Sequence, residues 1–321
     1  MDVIFYLIQN TLPVAIPLLL VALGGMFSER SGVINIALEG IMLFGAFFGC
    51  LFVYFVQGTG LNPQVILLLA MLVAALAGII FSLLLSFAAV SMKADQTITG
   101  TALNMNVPAM VLLFSKMSFN SDGITTNVKF YIQKVPVLGD IPIIGELFFQ
   151  KTYLTVYIGI AFLIIATIIF YKTRFGLRLR ACGEHPQAAD SVGINVYHMR
   201  YAGVTLSGFL GGIGGYFYSV GVMSGNVNGH TGAAGFGFLA LAVMIFGQWK
   251  PIKIFYAALF FAFLRTVAYS VPLIPFLNNL NINQTYYKML PYIATMVVLA
   301  FTSKKSRAPK AEGIPYDKGK R

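Results

Sequence analysis

The sequence predicts an all-α fold, a polytopic bundle of about nine transmembrane helices, and three observations carry the prediction. The 321 residues are 58% hydrophobic and 10% charged with a mean hydropathy of +0.79, outside the usage of soluble globular domains. Apolar stretches near the ~20 residues that cross a hydrocarbon layer recur along the chain. Lys and Arg collect between those stretches and fall mostly on one side of the resulting bundle.

The first stretch, 4 to 27, has neither a basic leading region nor a small-residue cleavage site, so it reads as a spanning helix and not a signal peptide. Stretches 33 to 56 and 64 to 90 follow. The fourth, 94 to 115, opens with polar side chains and holds Pro108, which removes its own amide and clashes with the carbonyl of Asn104. A bend or unwound turn is expected there. Stretch 153 to 172 is plainly apolar, whereas 200 to 222 carries Gly208/Gly212 and Gly211/Gly215 at the spacing that lets helix backbones approach closely. The segment 236 to 249 is short and follows a Gly- and Asn-rich run, so it reads as a broken or re-entrant element. Asn226, Asn228 and His230 are assigned to an outer vestibule before it. Stretches 252 to 272 and 286 to 302 complete nine; eight or ten result if the broken regions divide differently.

Orientation follows from the basic residues. Placing the loop from Thr173 to Arg200 in the cytoplasm also places Arg30, Lys93, Lys250, Lys253 and the tail from Lys304 there, and leaves Lys116, Lys129, Lys134, Lys151 and Lys288 outside. The N-terminus is then outside and the C-terminus cytoplasmic. The net charge of +11 reads as topology and not as nucleic-acid affinity, because no basic groove interleaved with aromatics occurs. A permease domain is expected over 1–303, with an ordered outer loop at 116–152 and a cytoplasmic loop at 173–199. Residues 304–321 read as a disordered basic tail. Cys50 and Cys182 lie at different depths, which argues against a disulfide.

The run TRFGLRLRACGEHPQAADSVGINV, from Thr173 to Val196, is a charged island in this apolar chain. Phe175-Gly176 lets the chain turn away from the bilayer. Pro186 suits a first helical position and Gly193 a C-terminal cap, predicting a helix of about two turns over Gln187–Val192. Ala188, Ala189 and Val192 are expected on one face. The island resembles the cytoplasmic coupling segment of ABC importer permeases of the branched-chain amino acid, ribose and simple-sugar group, with its terminal Gly193-Ile194-Asn195. A second run, SERSGVINIALEGIMLFGAFFG from Ser28 to Gly49, is similar to the early motif of the nucleoside branch of that group.

The resemblance implies a non-catalytic permease subunit that forms a nucleoside path by alternating access. Glu184, Pro186, Ala188, Ala189, Asp190, Val192 and Gly193 would seat in an ATPase. It further implies an ABC ATPase with two nucleotide-binding domains that uses ATP and Mg, a second and longer permease, and a lipid-anchored solute receptor in a bacterial plasma membrane. A ribose-like sugar permease and a stand-alone secondary transporter are the alternatives.

Ionisable and amide groups at membrane depth are the solute-path candidates. Glu39 faces a path or gate, or ties helix ends by bonding nearby amides or Arg30. Arg265 contacts a polar solute, pairs with a carboxylate, or snorkels toward headgroups. Gln96, Thr99, Asn104 and Asn106 line a polar path, with helix-to-helix hydrogen bonding as the rival role. No nucleotide-binding GxxxxGK[ST], HExxH or GxSxG occurs, and His185, His198 and His230 show no metal spacing. No cofactor, metal or catalytic residue is therefore expected in this chain.

Overall fold

A computed structural model describes residues 2–134, 145, 149–229, 235–274, 283–302 and 308–319. The helices are α1 (Asp2–Arg30), α2 (Leu38–Val56), α3 (Pro63–Ser86, continued by a π turn to Ser91), α4 (Gln96–Phe119) and α5 (Leu154–Lys172). They continue with α6 (Arg174–Glu184), α7 (Pro186–Ser191), α8 (Val196–Gly221), α9 (Phe236–Phe246), α10 (Pro251–Tyr269), α11 (Gln284–Lys288) and α12 (Leu290–Thr302). Their starts follow local chemistry. Asn62, Asp95, Thr173 and Asn195 each accept a backbone N–H of the first turn that follows, of α3, α4, α6 and α8 in turn. Pro63, Pro186 and Pro251 sit where a missing amide costs nothing.

Six helices, α1 to α5 and α10, are long and apolar enough to cross a membrane among the described residues. Each of the nine predicted stretches holds a helix, but α9 has 11 residues and α12 has 13. The seventh stretch was expected to reach 249. It stops at Phe246 because Gly247, then Gln248 and Trp249 at positive φ, turn the chain toward α10.

The bundle is built around α8, which packs on α1, α2 and α3. Its glycines make this possible. A Cβ on Gly212 would strike the Ala74 carbonyl of α3, and one on Gly215 would strike the Met42 carbonyl of α2. With no side chain in the way, three helices approach α8 to backbone contact, as the small-residue spacing predicts. The side of α1 from Leu18 to Leu23 is fully buried in the same core.

Four expectations need correction. Helix α4 is continuous through Pro108 and not unwound: Val107 and Val111, both buried, hold its path across the one lost hydrogen bond. The stretch after Thr173 does not leave as a loop but forms the amphipathic helix α6, with Leu179 and Cys182 inward. The short helix runs from Pro186 to Ser191 with Val192 as its cap. Its small-residue face splits, since Ala189 is buried while Ala188 and Val192 are exposed. Finally, residues 308–319 are not a loose tail. They lie against the end of the bundle that carries α6 and α7, called here the basic end; residues 303–307 and 320–321 fall outside the described residues.

At the far end, the described residues of the loop after α4 form two small antiparallel ribbons. Strand β1 (Gly123–Thr125) pairs with β4 (Asn226–Asn228), and β2 (Tyr131–Lys134) pairs with β3 (Gln150–Tyr153). Asn120 ends α4 in the left-handed conformation at φ 50°. Pro136, Gly139, Pro142 and His230 lie outside the described residues. Cys50 and Cys182 are both buried free thiols, and Cys50 Sγ lies 3.2 Å from Ser219 Oγ.

Candidate functional site: a junction of helix starts and a capped platform

Between α1 and α2 the chain does not stay at the basic end. Gly32, at φ 97°, turns it back, and residues 33 to 37 run without helical structure, ending in a turn at 36 and 37, between α4 and α8. Several polar groups of this stretch are answered by side chains. The Ile34 amide donates to Gln96 Oε1 at 2.7 Å, and Asn35 Nδ2 donates to Ser207 Oγ at 2.8 Å. Asn104 works on both sides at once: its Nδ2 donates to the Ile36 carbonyl and its Oδ1 accepts from the Gly40 amide, both at 2.7 Å. Non-helical backbone inside a membrane bundle must be satisfied internally, and Gln96 and Asn104 do so for the Ile34 amide and the Ile36 carbonyl.

Glu39, in the first turn of α2, reaches across to the start of α9. Its Oε1 accepts from the Gly235 amide at 2.9 Å and its Oε2 from the Gly237 amide at 2.6 Å. A carboxylate at a helix N-terminus meets unpaired N–H groups and the positive end of the helix dipole. Of the roles open to Glu39, tying helix ends through amides is thus realised, with Gly235 and Gly237 as partners. Arg30 is engaged elsewhere, 3.4 Å from Glu184.

Arg265, on α10, approaches the same helix start from the other side. It is 7% exposed and turned inward, so it does not snorkel. Its guanidinium lies 4.6 Å from the ring centre of Phe236, the first residue of α9, and 5.6 Å from that of Tyr269. Tyr218 packs on Phe236 at 4.3 Å between ring centres. Glu39 and Arg265 therefore flank the first turn of α9, and Asn104 clasps the neighbouring first turn of α2. Gln96 is tied to residue 34, Thr99 donates to the Asp95 carbonyl of its own helix at 2.7 Å, and Asn106 is exposed on the other side of α4. The six residues do not form one cluster.

Asn35, Ser207, Tyr218 and Phe236 belong to the junction but were not among the sequence candidates. The Asn of the Gly32–Ile36 run was a readable signal; the aromatic pair had none, because Tyr and Phe are common throughout the chain.

At the basic end, α6 and α7 form a fixed platform. Thr173 Oγ1 accepts from the Gly176 amide at 3.2 Å, and Arg180 lies 5.1 Å over the ring of Phe170. Gly193, at φ 84°, takes the left-handed turn that ends α7, a conformation a β-carbon disfavours. Burial pushes the Cys182 thiol up to about 11 against the pull of nearby Arg200, which leaves it protonated and unreactive at neutral pH.

The strap at 308–319 closes over this platform. The Ala311 amide donates to the Gly183 carbonyl at 2.9 Å, and Arg200 Nη1 donates to the Ile314 carbonyl at 2.9 Å. Lys93 pairs with Asp317 at 3.1 Å, Lys318 stands 3.9 Å from Asp190 of α7, and Tyr316 packs edge-on against Tyr197. Glu312 meets Glu29, whose carboxylate also accepts from Trp249 Nε1. Burial raises the Glu312 carboxyl above the usual carboxylate range, with the hydrogen bond to Glu29 and the charge of Arg30 opposing. No group of three or more metal-ligating side chains occurs among the described residues.

Residues 7–299 match the family described as branched-chain amino acid transport system / permease component. The chain is 44% identical to a guanosine ABC transporter permease of Bacillus subtilis (strain 168), over 100% of this chain and 99% of that one. It is 41% identical to a nucleoside ABC transporter permease of Lactococcus lactis subsp. cremoris (strain MG1363), over 98% of this chain and 97% of the relative. A second nucleoside ABC transporter permease of that organism matches at 31% identity over 51% of this chain and 44% of its own length. No solved structure matches. With the match running from α1 through nearly the whole of α12, the chain belongs to the family of branched-chain amino acid transport system permease components, and is a membrane permease of the ABC transporter class.

Proposed function

We propose that this permease carries nucleosides into a bacterial cell as the passive membrane half of an ATP-driven importer. The observation that supports the solute class most directly is the end-to-end similarity to two permeases named for guanosine and for nucleosides. In this reading the basic end lies in the cytoplasm, the nine apolar segments cross or enter the membrane, and the N-terminus lies outside. Helix α7 docks an ATPase carrying two nucleotide-binding domains, which binds and hydrolyses ATP with Mg. Val192, 75% exposed, and Ala188 offer it a small apolar contact, with Glu184, Asp190 and the Pro186 and Gly193 caps holding that contact in place. A lipid-anchored receptor delivers solute to the far end.

A second, longer permease completes the path. Helix α4 turns Thr97, Thr101 and Asn106 away from its own protomer, and polar side chains facing hydrocarbon are costly, so this face suits a partner permease or a water-filled path. Asn104 and Gln96 serve the path indirectly by holding the chain break at residues 33 to 37. Glu39 and Arg265 hold the start of α9, a short helix whose buried face packs on α1, α2 and α10.

Uptake of labelled guanosine by cells lacking other nucleoside transporters, and expressing the complete transport system, tests the reading. Uptake is expected to require the ATPase and to resist competition by ribose or glucose; uptake that persists without the ATPase, or that sugar abolishes, overturns it. In the same cells Ala188→Arg and Gly193→Pro should abolish uptake at normal membrane abundance. Normal uptake in both variants would remove α7 from the coupling role.

A further inference from the structure

A cavity of about 670 Å³ opens at the far end of the bundle, bounded by the first turns of α1, the ends of α8 and α10, and the β2–β3 ribbon. Its size is that of small-molecule sites. Tyr6, Tyr131, Tyr153, Tyr218 and Tyr269 surround it, and Arg265 faces into it. The other large cleft, between α1, α5 and α10, is lined by side chains such as Ile16, Leu19, Ile160 and Phe263 and suits only lipid chains.

Arg265 is the unusual element. Its guanidinium carries five N–H donors. Among the described residues its only hydrogen bond runs from Nη2 to Tyr218 Oη at 3.4 Å, its Nε has no partner, and no carboxylate lies within ion-pair distance. The faces of Phe236 and Tyr269 stabilise the charge at close range, and the Glu39 carboxylate acts on it from beyond ion-pair distance. An anionic ligand is therefore not required to neutralise it, while its donors remain available to a neutral acceptor.

We propose that this cavity is a binding site for 6-oxopurine nucleosides within the single protomer, with Arg265 reading the O6 and N7 edge of the base. The proposal rests on the nucleoside reading above and adds a place and a preference to it. Guanidinium only donates, and the O6/N7 edge of guanine or hypoxanthine offers two acceptors at the spacing of its fork. Adenine presents an N6 donor beside N7 and mismatches it. The tyrosine rings supply flat apolar faces for the purine, and Gln9 and Asn10 on α1 bring amide groups to the cavity wall that suit ribose hydroxyls.

The test is the ratio of guanosine to adenosine uptake by the complete transport system in cells lacking other nucleoside transporters. Arg265→Gln should lower that ratio about tenfold or more, the scale of losing a hydrogen bond from a buried charged donor. Arg265→Lys, which keeps the charge over Phe236 but not the fork, should also lose the discrimination while membrane abundance stays at the wild-type level. An unchanged ratio in both variants overturns the proposal. So does an equal fall for guanosine and adenosine at normal abundance, since that marks Arg265 as support for α9 only. Wild-type cells that import neither nucleoside would overturn the importer reading itself and this proposal with it; import by wild type with an unchanged ratio in the variants overturns the cavity alone.

Discussion

Asn104 links sequence chemistry to architecture at the scale of one side chain. Its amide commits one donor and one acceptor to the backbone of another segment, at Ile36 and Gly40. Asn104→Leu should therefore leave a buried carbonyl and a buried amide unpaired, costing about 1–3 kcal/mol. Its measurable sign is a lower unfolding midpoint of the purified permease with guanosine-to-adenosine selectivity unchanged. Altered selectivity at an unaltered midpoint would return Asn104 to the solute path. That Asn104 matters was legible in the sequence, since an amide in an apolar span needs a partner. Which partner was not, because the Ile36 carbonyl is 68 positions away and belongs to a stretch that reads as the start of a regular helix. Glu39 repeats the lesson: the cost of burying its charge marks it at once, yet the amides that offset that cost come from Gly235 and Gly237, on the far side of six helices in chain order.

At the scale of elements, α7 was readable because its signals are local, a proline that can begin a helix and a glycine that can end one within eight positions. Helix α6 was not, since Gly176 and the arginines around it suggest a turn; the glycine instead lets α6 pack against the carbonyls that end α5. The strap was misread for the opposite reason. Its composition is that of a disordered segment, and only the surface that receives it, Gly32, Gly183 and Arg200, gives it a structure. Glu312 makes its seating depend on pH. A carboxyl raised by burial favours the docked state while protonated, so docking is strongest below the free carboxylate value of ~4.3 and weakens as pH rises through the docked value. Protease cleavage within 308–319 should accordingly become faster over that rise, and Glu312→Gln should flatten the dependence. A cleavage rate that does not change with pH in the unsubstituted protein would show that the Glu29–Glu312 contact does not control the strap.

For the whole molecule, the recurring apolar stretches were enough to place nine helices near their observed positions, six of them long and apolar enough to cross a membrane, because crossing a bilayer constrains length and composition more tightly than a soluble core does. It was not enough to show that α8 is the hub. That follows from backbone contacts at Gly208, Gly212 and Gly215, which the spacing of small residues permits but does not assign to particular neighbours. Gly212→Leu should drive α2 and α3 off α8 together, and the expected result is loss of folded permease from the membrane fraction. A variant that accumulates normally and transports would show that the hub tolerates a separation of several ångströms. The strap has one more consequence, in the order of manufacture. Residues 308–319 are synthesised after every helix of the bundle, yet they close the platform formed by α6 and α7. A ribosome still building the later helices exposes α7 without Lys318 beside Asp190. The platform of α6 and α7 is thus completed last, only once the membrane part behind it exists.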